Sequence, residues 1–179
     1  ILFLLIIEQS LSSMRIIRKN RILEQKAYID VHTGLPNKSK CEELFSDMSF
    51  ITEPTACLMF DLNNLKNAND TLGHSAGDQL IASFARVLRN VIPAKDFVGR
   101  YGGDEFVVIL YNITENTVNG LLTQLHNEVM QFNRGGNNIP ISYAQGWAVS
   151  TDYTDCTLRT LFDKADHFMY TNKVRVKSE

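Results

Sequence analysis

The stretch that most constrains this chain is Arg100-Tyr101-Gly102-Gly103-Asp104-Glu105-Phe106, which runs directly into the apolar series Val107-Val108-Ile109-Leu110. Phe97 to Tyr101 and Glu105 to Leu110 both have the character of short strands. The glycine pair between them predicts a tight hairpin with positive φ at its tip. Two adjacent carboxylates then stand at that tip. Bare glycine backbone admits a phosphate, and Asp104 and Glu105 are hard oxygen donors suited to Mg²⁺. Gly-Gly-Asp is also ordinary turn chemistry, so the stretch acquires meaning only from the rest of the chain.

At 179 residues and 44% hydrophobic content, the chain has enough for one domain with a sizeable core plus a short extension. A formal net charge of -2 and a pI near 6.1 provide no general basic field, which argues against a nucleic-acid polymer as partner. Cys41, Cys57 and Cys156 are far apart and lack CxxC or Cys/His spacing. They read as core thiols in a reducing compartment, with no zinc site and no disulfide frame.

Ile1 to Ile7 is an apolar run too short to span a bilayer, and it has no initiating Met. Two readings stand. It is the inner end of a membrane helix, followed on the cytoplasmic flank by Arg15, Arg18, Lys19 and Arg21, or it is part of a plain amphipathic helix. Because the basic residues follow the apolar run, a signal peptide is disfavoured. From Glu8 to about Ile29 there is no Gly or Pro, which predicts a long helix. Ile16 and Leu23 are one heptad apart without a sustained repeat, so a coiled-coil dimer and a solvated connecting helix both fit. The expected division is a linker helix over residues 1–29 and a globular domain over residues 30–179.

Asp30-Val31-His32-Thr33-Gly34-Leu35-Pro36-Asn37 breaks that helix, and Asn37 or Ser39 can cap the next. Ala56-Cys57-Leu58-Met59-Phe60 reads as a strand buried on both faces, which places Asp61 near its carboxyl end, where ligands collect in helix-covered sheets. A short helix, a glycine turn and a second helix account for Leu62 to about Leu88. This segment carries Lys66, a mobile charge for phosphate, and Asn69, His74 and Asp78. An amide and a carboxylate together can read the N1, N2 and O6 edge of guanine. Taken singly, Asp70 and Asp78 are equally good helix caps and His74 a loop tether. Thr114 to about Phe132 predicts a surface helix, Ile139 to Val149 a strand, and Leu158 through Tyr170 a last helix that ends in Lys173, Arg175 and Lys177, cations suited to a helix C-terminus.

Taken together, Asp30-x-x-Thr33-Gly34-Leu35-Pro36-Asn37, Asp61-Leu62-Asn63 with Lys66, Asn69-Asp70-x-x-Gly73-His74-x-x-Gly77-Asp78, Arg100 to Phe106, and Ala165-Asp166 ahead of Tyr170 and Lys173 resemble the GGDEF family of diguanylate cyclases. The likeness runs from about Asp30 to Lys173 in family order. It implies an α/β (α+β) domain whose central, mostly antiparallel sheet is wrapped by helices, like nucleotidyl cyclases and polymerase palms, here with an N-terminal helical extension. It implies condensation of two GTP into cyclic di-GMP with release of pyrophosphate. By the same resemblance, Asp61, Asp104, Glu105 and the Leu62 carbonyl would bind Mg²⁺ or Mn²⁺. Asp104, Glu105 and Lys66 would serve catalysis, with Asp104 also a candidate general base. Asn69, His74, Asp78, Gly102, Gly103 and Lys173 would hold the substrate. In-line attack of a 3′-hydroxyl on an α-phosphate needs charge neutralisation and positioning, which two shared metals supply.

Each domain would hold one GTP, so a homodimer would be required for turnover, with the N-terminal helix controlling it. The domain would be cytoplasmic, in a bacterial inner-membrane sensor, meeting the membrane only through a region preceding this chain. Some positions depart from the family pattern. Where many relatives carry an Arg-x-x-Asp product site, this chain has Pro93-Ala94-Lys95-Asp96, so inhibition by product there should be weak or absent. Asn63, Leu65 and His32 replace a frequent Asp, Phe and Leu, and Val176-Lys177-Ser178 stands for the closing Gly-Arg-Asn. None removes a metal-binding or base-reading residue. The rival reading is a catalytically silent GTP-binding or interaction module of the same family; an adenylate-forming cyclase is disfavoured by Asn69 and Asp78.

Overall fold

The computed structural model describes residues 2–136 and 139–176. Ile1, Asn137, Asn138 and the closing Lys177-Ser178-Glu179 lie outside the described residues. Helix α1 (Leu2–Tyr28) leads into α2 (Lys38–Phe45). Strand β1 (Thr55–Leu62) is followed by α3 (Leu65–Leu72) and α4 (His74–Val91). The hairpin β2 (Phe97–Arg100) and β3 (Glu105–Tyr111) precedes α5 (Glu115–Arg134), β4 (Tyr143–Val149) and α6 (Leu158–Val176). The sheet order is β2-β3-β1-β4, with each neighbouring pair antiparallel.

Period-2 alternation divides the core between the two faces of this sheet. Leu58, Phe60 and Leu62 of β1, with Phe106 and Val108 of β3, pack under α4 and α5. Cys57, Met59, Val107 and Ile109 face α2 and α6. Every residue of β1 is buried, as its unbroken apolar run predicts. At Gly146 the sheet and α6 meet backbone to backbone: a Cβ there would lie 2.0 Å from the Met169 nitrogen and 2.4 Å from the Ala165 carbonyl oxygen. That contact seats α6 against β4 and sets Lys173, one turn beyond Met169.

Two expectations from the sequence need adjusting. Gly102 and Gly103 do not adopt positive φ. The connection from Arg100 to Glu105 spans four residues. Tyr101 N and Gly102 N both donate to the Glu105 carbonyl, at 2.8 and 3.2 Å, which closes it without left-handed backbone. The strand expected from Ile139 begins only at Tyr143. Asn133 explains this, since its amide takes both backbone groups of Ile141, accepting from N at 2.8 Å and donating to O at 2.9 Å. Helix α6 runs to Val176 and carries Lys173 near its end, in keeping with the cations read at its C-terminus.

The joint after α1 behaves as read. Gly34 has φ +66°, and Asn37 caps α2 by accepting from Lys40 N. Leu11, Met14, Ile16, Ile17 and Leu23 of α1 are exposed. Among the described residues no helix is long and apolar enough to cross a membrane. The three cysteines are free and buried, and burial pushes the Cys41 thiol up to about 12, as expected of inert core thiols.

Candidate active site

The antiparallel register places Asp61 of β1 directly opposite Glu105 of β3. Leu62 N donates to the Asp104 carbonyl at 2.9 Å, tying the end of β1 to the hairpin turn. Three carboxylates thereby reach one end of the sheet. Asp61 is only 6% exposed, and its Oδ1 accepts a 2.6 Å hydrogen bond from Lys173 Nζ. Burial raises the pKa of Glu105, and the negative charges of Asp104, Asp61 and Asp166 add to that effect, with Lys173 opposing. The Glu105 carboxylate curls beneath Gly102, whose Cβ, if present, would lie 2.4 Å from Oε2. Any side chain at Gly102 would displace it, whereas Gly103 borders open space.

A second group forms at the seam of α3 and α4. Asn69 Oδ1 is buried without a hydrogen-bond partner among the described residues, and a Cβ on Gly77 would fall 2.1 Å from it. Asp78, the next residue, is exposed and faces His32 Nδ1 at 3.5 Å. The caps that Asp70 and Asp78 could have supplied are absent: the residues flanking the starts of α3 and α4 are Asn64 and Gly73. A buried amide oxygen without a donor beside an exposed carboxylate is the arrangement that the two N–H groups of a guanine edge would complete. Lys66 and His74 are exposed on α3 and at the start of α4.

The hard-oxygen character of Asp61, Asp104, Glu105 and the Leu62 carbonyl fits a divalent cation, and a cation there would offset the charge crowding at Glu105. Among the described residues no three His, Cys, Asp or Glu side chains converge as a ligand set, because Asp61 holds Lys173 and Glu105 turns under Gly102. Lys173, expected at phosphate, is thus the cation that Asp61 meets in this structure.

The turn rests on supports whose roles the sequence did not reveal. Arg100 donates to the Gly102 carbonyl at 3.1 Å, to the Gly103 carbonyl at 2.8 Å, and to both Asp30 oxygens. Burial works to raise the Asp30 pKa, but hydrogen bonds from Thr33 and Arg100 outweigh it and hold the carboxyl below its ordinary range. The Tyr101 hydroxyl donates to Glu42, which also pairs with Arg159 of α6. Burial, reinforced by Glu42, pushes Tyr101 up to about 12. Asp30, Arg100 and Tyr101 were visible as motif positions. Glu42 and Arg159, 117 residues apart, carried no sequence signal.

The chain is similar to known proteins in sequence and fold. A family profile described as "Diguanylate cyclase, GGDEF domain" matches residues 27–179. The signaling protein YkoW of Bacillus subtilis is 33% identical over 97% of this chain and 23% of its own length. A diguanylate cyclase of Vibrio cholerae is 28% identical over 84% of this chain and 48% of its own. The chain therefore spans less than half of either curated relative. The crystal structure of the coiled coil and GGDEF domain of DgcB from Caulobacter crescentus, in complex with c-di-GMP, superimposes with a TM-score of 0.81 at 24% identity, covering 95% of this chain and 93% of that one. With the palm-like sheet, the ordered motifs and this profile match in agreement, the chain belongs to the GGDEF family.

Proposed function

We propose that this domain is a diguanylate cyclase, joining two GTP into cyclic di-GMP with release of pyrophosphate. The observation that carries this reading is the pairing of Asp61 with Glu105 across β1 and β3, with Asp104 fixed beside them through Leu62 N. Asn69 and Asp78 take the guanine edge. Gly102 and Gly103 leave room for phosphate, and Lys66 and Lys173 supply positive charge to it. Divalent cations, Mg²⁺ or Mn²⁺, held by Asp61, Asp104, Glu105 and the Leu62 carbonyl, would neutralise phosphate charge and lower the pKa of the attacking 3′-hydroxyl. Asp104 would be the base that accepts that hydroxyl's proton. Glu105, whose proton affinity is raised, is disposed toward cation or proton.

One domain holds one GTP, so each of the two bonds forms between two domains that face each other. The homodimer is part of the reaction, and α1, with apolar side chains exposed, is the element through which pairing is controlled. The domain acts in the cytoplasm, as one part of a longer bacterial sensor protein attached to the inner membrane through a region outside this chain. Asp96, the retained half of the product site, is engaged locally, its Oδ1 accepting from Tyr111 N at 3.0 Å, and Pro93 offers no guanidinium. Product inhibition there is weak or absent.

The test is incubation with GTP and Mg²⁺, beside Asp104→Ala, with products separated by chromatography and mass. Cyclic di-GMP from the parent and none from the variant supports the reading. GTP binding without product at high protein concentration would replace it with a silent GTP-binding module.

A further inference from the structure

A groove of about 890 Å³ lies between α5 and β4 and reaches round to the end of α6. That size is within the range of about 300–1,000 Å³ typical of small-molecule sites. Its helix wall mixes apolar Leu122, Val129 and Met130 with polar side chains. Asn119, Thr123, His126 and Asn133 recur at helical spacing and all line it. The strand wall is aromatic, with Tyr143 and Trp147 flanking Gln145 on one face of β4.

Gln145 is the anomaly. It sits opposite Phe60, on the face that otherwise contributes apolar residues to the core under α4 and α5. Its backbone carbonyl is taken by Asn172 Nδ2 at 2.9 Å. Its side-chain Oε1 is buried with no hydrogen-bond partner among the described residues. A buried acceptor without a donor is costly, and a donor brought by a ligand would remove that cost. A primary amide presents an acceptor and a donor side by side, which matches the N6–H donor and N7 acceptor of adenine. The edge that Asn69 and Asp78 suit, with two N–H donors, is a different one.

Lys173 also lines the groove. One ammonium hydrogen is used by Asp61, leaving two for an anion. Aromatic faces, an amide and a cation in one groove define the ligand chemistry. We propose that this groove binds an adenine mononucleotide, its base pairing with Gln145 beside Tyr143 and Trp147 and its phosphate meeting Lys173. The binding is independent of whether the domain makes cyclic di-GMP. An occupied groove would also draw on the ammonium that neutralises Asp61, a consequence that does rest on the cyclase reading.

Trp147 is the single tryptophan of the chain and lines the groove, so its fluorescence responds to the groove's occupancy. Titration with AMP should give a saturable change in the parent and an equal one in Asn69→Ala, which disables the α3–α4 seam. Gln145→Leu should weaken binding about tenfold or more, as should replacing AMP by GMP in the Asn69→Ala background. Thr123→Arg, at an exposed helix position, should block the groove without touching the core, and decides the matter if Gln145→Leu fails to fold. No saturable change at millimolar AMP, a response that survives Thr123→Arg, or GMP binding as tightly as AMP would each overturn the proposal. Since the readout is binding, a failure here leaves the cyclase assay untouched, and a failed cyclase assay leaves this one interpretable.

Discussion

Asp30 and Arg100, seventy residues apart in sequence, meet through both carboxylate oxygens at 3.1 and 3.0 Å. The same guanidinium holds the carbonyls of Gly102 and Gly103. One side chain therefore joins the residue just beyond α1 to the turn that carries Asp104. Both partners are largely buried, with side-chain exposures of 13% and 17%, so the contact is little screened.

Replacing Arg100 by Ala leaves Asp30 and two turn carbonyls without their donor. Stability should fall by roughly 2–4 kcal/mol, measured by denaturant midpoint. Cyclase activity should drop about 100-fold, because the turn would no longer be held in place. Arg100→Lys should recover part of the stability and little of the activity, since one ammonium cannot span four acceptors.

Asp30 also predicts a pH response. Its folded pKa lies below the unfolded value of about 3.9, so its contribution is fully present above that value and is lost as pH falls through the folded pKa. Denaturation midpoints from neutral pH down into the acid range should fall, and Asp30→Asn should show a shallower fall from a lower plateau. An equal acid slope in the variant would contradict this origin.

Glu105 has the opposite sign. Its folded pKa is raised, first by burial and then by its acidic neighbours, so the ionised form costs stability above the folded pKa and the cost vanishes below the unfolded value. Glu105→Gln should melt at a higher temperature than the parent at neutral pH without added metal. It should also lose most of its turnover. The two curves should converge in acid.

Gly77→Ala should weaken GTP binding. The new Cβ would fall 2.1 Å from Asn69 Oδ1 and expel that amide, with an overpacking cost of about 1–3 kcal/mol. Calorimetry should register at least a tenfold loss of GTP affinity while the circular dichroism spectrum stays that of the parent.

At Asp96 the expectation is a null effect on regulation. Asp96→Ala should leave the response to added cyclic di-GMP unchanged and lower stability by about 1 kcal/mol through the lost bond to Tyr111 N. Inhibition at low product concentration that disappears in the variant would restore the product site.

Much of this protein is written in local patterns. The apolar run from Ala56 to Phe60 determined a strand buried on both faces, and the absence of Gly and Pro before Ile29 determined a long helix. The motif order determined the family and the carboxylates to examine, because residue type and spacing suffice to specify donors for a cation or a phosphate. Tertiary structure alone decided how those groups are held. The Gly102-Gly103 turn avoids left-handed backbone since the Glu105 carbonyl and the Arg100 guanidinium close it, and Arg100 is braced in turn by Asp30. The β4 strand starts late because an amide ten residues earlier, Asn133, claims the backbone of Ile141. Lys173 reaches Asp61 because Gly146 lets α6 lie directly on the sheet. The Asp30 brace and the reach of Lys173 depend on atoms distant in sequence, and the turn and the β4 start on specific side-chain and backbone hydrogen bonds, neither of which residue propensity encodes.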